Sequence, residues 1–279
     1  MTKIAITGSN GLVGSRIIEL LKKDFTFIPF TQKDFDITDP SQTKKLIDKT
    51  DFDLMIHLAA YTNVAGAETN REACYKINVD GTRNIFNAVQ DKEKKFIFIS
   101  TDFVFDGKQP PYDEDSSPNP PGIYADSKYQ AEKVVKNKAM IVRIAYPYRA
   151  FFEPKRDFFR TFKAYLEQNK PLSMISDSLM TPTFIDDIAY GLKYLIKNFT
   201  TDTIHLVGGQ AISPYQAAVL IAEKFKLDKS LITKTTYGEY IKQKPGLPQF
   251  ADIRSKKNNF QKMRSLKEGL ETIRIQLGQ

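Results

Sequence analysis

Short apolar runs alternate with amphipathic stretches along the first half of the chain. Residues 3–7, 25–30, 54–58, 96–100 and 139–143 are nearly continuous in apolar character. Strands buried on both faces read this way, whereas half-exposed strands alternate. Between them, segments with helical periodicity begin near Leu12, Pro40, Glu72 and Tyr124. The alternation predicts an α/β fold, a parallel sheet covered by helices. Two helix starts carry strong signals. Asp39-Pro40-Ser41-Gln42 and Ser213-Pro214-Tyr215-Gln216 each offer a capping residue, a proline at the first helical position and a glutamine at the third.

From Ala145 onward the alternation loosens. The pattern predicts an aromatic helix over 157–169, a strand at 172–175, a helix from Asp186, a strand at 203–207 and a helix from Ser213. A proline-rich stretch, 110–121, interrupts the step from the fourth strand to the Tyr124 helix and is read as a surface loop.

The first strand runs directly into Thr7-Gly8-Ser9-Asn10-Gly11-Leu12-Val13-Gly14 and then into a helix. Glycines in that setting permit a tight turn and close approach of backbone to a diphosphate, which the helix N-terminus then receives. Gly8, Asn10, Gly11, Leu12, Val13 and Gly14 are therefore candidate cofactor contacts. Asp36 and Ile37 fall where a loop would meet an adenine edge. Leu58, Ala59, Ala60 and Tyr61 follow the third strand, with side chains small enough at the alanines for the backbone to pass close to a dinucleotide. The second strand has no acid at its end to bind ribose hydroxyls, while Arg16 and Lys33 are near enough in sequence to meet a 2′-phosphate. NADPH is the expected cofactor, with NADH possible.

Tyr124 and Lys128 stand four residues apart in YADSK, so a helix puts phenol and ammonium on one face. A nearby positive charge lowers a phenol's pKa, and such a tyrosine protonates a carbonyl oxygen as hydride reaches the carbon. Ser100 and Thr101 end the preceding strand, where a hydroxyl and the phenol can meet one carbonyl.

Composition narrows the partners. With 41 Lys+Arg against 33 Asp+Glu, the chain has a formal charge of +8, which suits an anionic ligand such as a nucleotide. The lysines are scattered, without a basic stripe interleaved with aromatics, which argues against nucleic acid. The single cysteine, Cys74, excludes an internal disulfide and a thiolate metal site. His57 and His205 each lie in an apolar run and read as core or backbone-bonded residues, so no metal is expected. No apolar run reaches the ~20 residues of a membrane span. A reduced, cytoplasmic protein is expected.

The runs TGSNGLVG, DITD, HLAAYTNVAGAE, KINVDGTRN, ISTDFVFDG, YADSK and TPTFIDDIA occur in that order. Together they resemble the extended short-chain dehydrogenase/reductase superfamily, and within it most closely the dTDP-4-dehydrorhamnose reductases. The resemblance implies a Rossmann fold, a doubly wound parallel sheet with a smaller C-terminal substrate-binding cap. Residues 1–145 would form the cofactor core, with segments near 184–207 returning to it, and 146–279 mainly the cap. It implies reduction of a nucleotide-linked 4-keto-6-deoxy sugar by a monomer or homodimer. Tyr124 would be the proton donor, and Lys128 would also hold the nicotinamide ribose. Thr101 would bind the substrate carbonyl, Ser100 would lie with the cofactor, and Asp102 and Phe103 would lie beside the sugar. Asn78 matches a structural asparagine. Tyr146 falls where these reductases usually carry a tryptophan.

Three departures fall on the substrate side: Tyr146 itself, Ala65 in place of a usual aspartate, and Lys244-Pro245 in place of a usual Arg-Pro. A lysine keeps the charge but not the planar fork of arginine. Two alternatives stay open at this point. One is a sugar-nucleotide epimerase. The other is a non-catalytic NADP-binding subunit resembling the regulatory subunit of methionine adenosyltransferase. Dehydration is disfavoured, because Phe103 stands where the related dehydratases place a glutamate.

Overall fold

The structure is a computed structural model that describes residues 1–242 and 246–279. Its elements in chain order are β1 (Lys3–Thr7), α1 (Gly14–Leu21), β2 (Thr26–Phe30), α2 (Pro40–Lys49), β3 (Leu54–His57), α3 (Val64–Thr69), α4 (Arg71–Tyr75), α5 (Thr82–Gln90) and β4 (Lys95–Thr101). They continue with α6 (Ile123–Val135), β5 (Met140–Ile144), β6 (Pro147–Tyr148), α7 (Phe158–Glu167), β7 (Leu172–Ile175), β8 (Thr183–Phe184) and α8 (Ile185–Lys197). Last come β9 (Thr203–His205), α9 (Pro214–Phe225), β10 (Ile232–Thr235), α10 (Tyr237–Ile241) and α11 (Leu266–Gln276). One turn of π-helix, Lys76–Gly81, joins α4 to α5.

Six strands form one parallel sheet in the order β2-β1-β3-β4-β5-β9. Because side chains alternate along a strand, each apolar run feeds both faces. Ile4, Ile6, Leu54, Ile56, Ile97, Ile99, Met140 and Val142 pack with α1 and α8. Ala5, Met55, Phe96, Phe98 and Ile141 pack on the opposite face with α2, α5 and α6. That division explains why these strands carry no polar face. It is the helix-covered parallel sheet expected from the alternation and the doubly wound Rossmann fold implied by the resemblance.

The two marked helix starts form as their sequences require. Asp39 accepts from the Ser41 and Gln42 amides, and Ser213 with Gln216 closes a reciprocal capping box. Outside the sheet, α7, α9 and α11 bury Phe159, Ile221, Leu270 and Ile273 against Tyr148 and Phe184. β7 and β10 pair in parallel beneath α9. The strand at 172–175 is found as expected, whereas its partner β10 lay unmarked in a polar run, ITKT. Among the described residues, no helix is long and apolar enough to cross a membrane.

Candidate active site

The strand order reverses at β1, which has β2 on one side and β3 on the other. In open parallel sheets, ligands bind outside the carboxyl ends of the strands at such a switch point. The glycine turn leaves β1 there. Gly11 N donates to the Gly8 carbonyl at 3.0 Å, and the Ser9 hydroxyl donates to the Phe30 carbonyl at 2.9 Å, pinning the turn to β2. Gly8 has φ +65°, and a Cβ on it would lie 2.9 Å from the Ala59 nitrogen. A Cβ on Gly14 would lie only 2.4 Å from the Gly8 carbonyl oxygen. Only glycine fits at these two positions, so the segments after β1 and β3 are brought into backbone contact. Thr7 completes the junction. Its Oγ1 accepts from the Leu58 and Ala59 amides, each at 3.2 Å, and lies 2.7 Å from His57 Nδ1.

The sequence-predicted cofactor residues therefore gather at one edge. Asn10 is exposed there, and Leu12 and Val13 cover the core. Ala60 and Tyr61 continue the strip after β3, held by Asn78, whose Oδ1 accepts from Tyr61 N at 2.7 Å. Asn78 Nδ2 also donates to Ser127 Oγ on α6 at 2.8 Å, so its role is architectural, as expected. Asp36 turns its own loop by accepting from Thr38 N at 2.8 Å, and Ile37 packs against Gly81. Asp186 grips the guanidinium of Arg16, a residue expected to be near enough to meet a 2′-phosphate, with both oxygens at 2.7 Å, and Glu19 takes another nitrogen. Lys33 remains exposed.

The second cluster lies at the carboxyl end of β4. Thr101 Oγ1 accepts from Phe103 N at 3.2 Å and donates to Asp102 Oδ1 at 3.0 Å. It also acts on the Tyr124 phenol, favouring its charged form. Phe103 sets its ring edge-on to Tyr124 and to Tyr146, at centroid distances of 6.1 and 5.7 Å. Tyr146 has φ +38°, an uncommon backbone for a bulky residue and the kind of strain that collects at functional sites. Asp102 is buried, its Oδ2 and the neighbouring Ser100 Oγ have no partner among the described residues, and burial raises its carboxyl to about 7.

α6 carries Tyr124 and Lys128, and a buried ion pair fixes it to the sheet. Glu132 receives Arg143 of β5 at 2.9 and 2.7 Å, and Arg143 in turn lies 3.3 Å from His205 Nε2. His205 Nδ1 meets the Arg254 carbonyl at 2.7 Å, the backbone-bonded state read from its apolar run. His57 is buried as well, and burial and Lys128 push its pKa down to about 3.

Lys128 behaves differently from expectation. Its Nζ donates to the Ile99 carbonyl at 2.8 Å and lies 4.1 Å from the Phe98 ring centre. Burial lowers its pKa to about 7. Tyr124 is raised above the ordinary phenol value by burial and then by Asp102, while Thr101 opposes the shift. Lowering of the phenol by Lys128 is thus absent here, because the low-dielectric setting disfavours the charged form of both groups.

Other residues at the site carried no local signal. Tyr237 and Tyr240 of α10 face Tyr146 electrostatically, and the Tyr237 hydroxyl donates to the Leu247 carbonyl at 2.6 Å. Ala65 is exposed on α3. Lys244 and Pro245 lie outside the described residues.

The family model described as RmlD substrate binding domain matches residues 1–276. A probable low-salt glycan biosynthesis reductase, Agl14, of Haloferax volcanii is 29% identical over 253 residues, covering 84% of each chain. A dTDP-4-dehydrorhamnose reductase of Mycobacterium tuberculosis is 26% identical, covering 87% of this chain and 82% of that one. The crystal structure of a Bacillus anthracis dTDP-4-dehydrorhamnose reductase in complex with NADP superposes with a TM-score of 0.91, at 30% identity and 99% coverage of both chains.

Proposed function

This chain belongs to the RmlD substrate binding domain family, and on that premise we propose that it reduces the 4-keto group of a dTDP-linked 6-deoxy sugar. It is an NADPH-dependent oxidoreductase. Residues 1–145, with 184–207, serve as the cofactor core, and most of 146–279 serves the substrate. The observation that carries the reading is the Tyr124 phenol, packed edge-on to Phe103 just after Thr101 at the carboxyl end of β4, at the same sheet edge as the glycine turn.

The cradle at Gly8 and Gly14, closed to any Cβ, fits a dinucleotide's diphosphate. Bound there, NADPH supplies the hydride. Asp34, the first acid after β2, is occupied by the Thr31 amide and hydroxyl at 2.7 and 2.8 Å, which supports a preference for NADPH over NADH. Thr101 orients the carbonyl oxygen beside Tyr124. The raised pKa keeps the phenol protonated at neutral pH, so it holds a proton to give as negative charge develops on that oxygen. Phe103, rather than a glutamate, follows Asp102 and packs edge-on to Tyr124 and Tyr146, which supports reduction over dehydration.

The test is NADPH oxidation with dTDP-4-dehydrorhamnose by wild type and by Tyr124→Phe. The variant keeps the ring and loses the proton, so turnover should fall ~10²–10⁴-fold while NADPH affinity holds. A variant retaining most of the rate would place the acid elsewhere.

A further inference from the structure

We propose that Glu68 is the positioning residue for Tyr124, an inference that rests on the reading of Tyr124 as proton donor. α6 begins at Ile123, one residue before the phenol, and its capping position is Gly122, which has no side chain to offer. The first amides of a helix have no partner within it. Glu68, from α3, supplies the missing acceptor. Its Oε1 receives the Ile123 amide at 2.9 Å across 55 residues of sequence.

The carboxylate sits in a slot built for it. A Cβ on Gly122 would lie 2.8 Å from Oε1 and 2.8 Å from the Gly246 Cα. A Cβ on Gly246, which has φ +88°, would lie 2.9 Å from the same oxygen. Two glycines from distant parts of the chain thus leave room for one carboxylate at the mouth of the helix. The negative charge also lies at the positive end of the α6 dipole.

Position gives this cap its consequence. Helix ends fray, and Tyr124 is in the first turn. The phenol must meet Thr101 and a carbonyl oxygen together, and misplacement by about 1 Å can cost ~10²-fold in rate. α3 follows directly from the Leu58–Tyr61 strip, so Glu68 also links the cofactor side of the cleft to the proton donor. The pair Arg143–Glu132 holds the C-terminal part of α6, Tyr75 and Asn78 bond Asp126 and Ser127 near its start, and Glu68 alone of these receives the backbone amide next to Tyr124.

Glu68→Ala, Glu68→Gln and Gly122→Ala would be made in wild type and in Tyr124→Phe. Steady-state kinetics, NADPH titration and amide exchange at Ile123 would be measured. Glu68→Ala should lower kcat ~10-fold, leave NADPH affinity within about 2-fold, and lose protection at Ile123. Glu68→Gln keeps an oxygen acceptor and should restore both kcat and protection. Gly122→Ala crowds the carboxylate and should repeat the alanine phenotype, even if Glu68→Ala folds poorly. In Tyr124→Phe, Glu68→Ala should cost less than about 2-fold, because the group it positions is gone. Equal losses in both backgrounds, or an unchanged kcat in Glu68→Ala, would overturn the proposal. Undiminished turnover in Tyr124→Phe alone would instead refute the proton-donor reading, and protection at Ile123 would still report the cap.

Discussion

Lys128→Met is expected to stabilise the protein near neutral pH while removing its turnover. Methionine retains an unbranched apolar stem and carries no charge. Burial lowers the Lys128 pKa from 10.5 to about 7. At ~1.4 kcal/mol per unit, that fall corresponds to a penalty on the order of 5 kcal/mol for the charged form. The substitution forfeits the hydrogen bond to the Ile99 carbonyl and the contact with the Phe98 face, each worth ~1 kcal/mol. A net gain of about 3 kcal/mol remains. The sign with pH follows from proton counting. Between about pH 7 and 10.5 the unfolded lysine keeps a proton that the native one has released. Wild-type stability therefore rises with pH in that window, by up to ~1.4 kcal/mol per unit, and methionine has no matching term. The variant's advantage should be full below about pH 7 and should close toward pH 10.5. The chain has no tryptophan, so urea unfolding of both proteins would be followed by far-UV circular dichroism at several pH values from 6 to 9.5. A gap that does not change with pH, or a destabilised variant at pH 7, would refute the reasoning.

Three further substitutions test the scaffold. Gly14→Ala places a methyl 2.4 Å from the Gly8 carbonyl and must open the turn, so NADPH affinity by fluorescence titration should fall at least ~10-fold. Undiminished binding would move the diphosphate off this turn. Tyr148→Phe removes a buried hydroxyl that has no partner among the described residues, and its melting temperature should hold or rise, in keeping with the ~1–3 kcal/mol cost of an unsatisfied group. Gly269→Ala should destabilise, because its Cβ would lie 2.0 Å from that same hydroxyl, and overpacking costs ~1–3 kcal/mol. A clear loss of stability in Tyr148→Phe would reveal a hydrogen bond to the phenol.

The parallel sheet was legible because burial on both faces leaves apolar runs with no polar face, a property of each strand alone. The glycine turn was legible as a motif beside its own strand, although only Gly14 is dictated within the turn, while Gly8 is dictated by Leu58 and Ala59 after β3. Tyr124, Thr101 and Lys128 could be found as residues, but their protonation could not. Whether Lys128 carries its charge depends on how the Phe98 ring and the Ile99 carbonyl enclose it. The partner of Arg16 was hidden for a similar reason, as Asp186 lies 170 residues away. Glu68 was present in the run HLAAYTNVAGAE, yet nothing nearby shows that a helix start 55 residues later lacks its own cap. The absence of a capping side chain at Gly122 was the available signal. The polar strand β10 and helix α10 had no periodicity strong enough to read.

The central claim is that hydride passes to C4 of the sugar with Tyr124 delivering the proton, and isotope transfer tests it most directly. Wild type would be incubated with NADPH carrying deuterium on the transferred position of the nicotinamide and with dTDP-4-dehydrorhamnose. The product would then be examined by proton NMR and mass spectrometry. The account predicts one deuterium, at C4, and none elsewhere in the sugar. An unlabelled sugar, or deuterium at any other carbon, would contradict it.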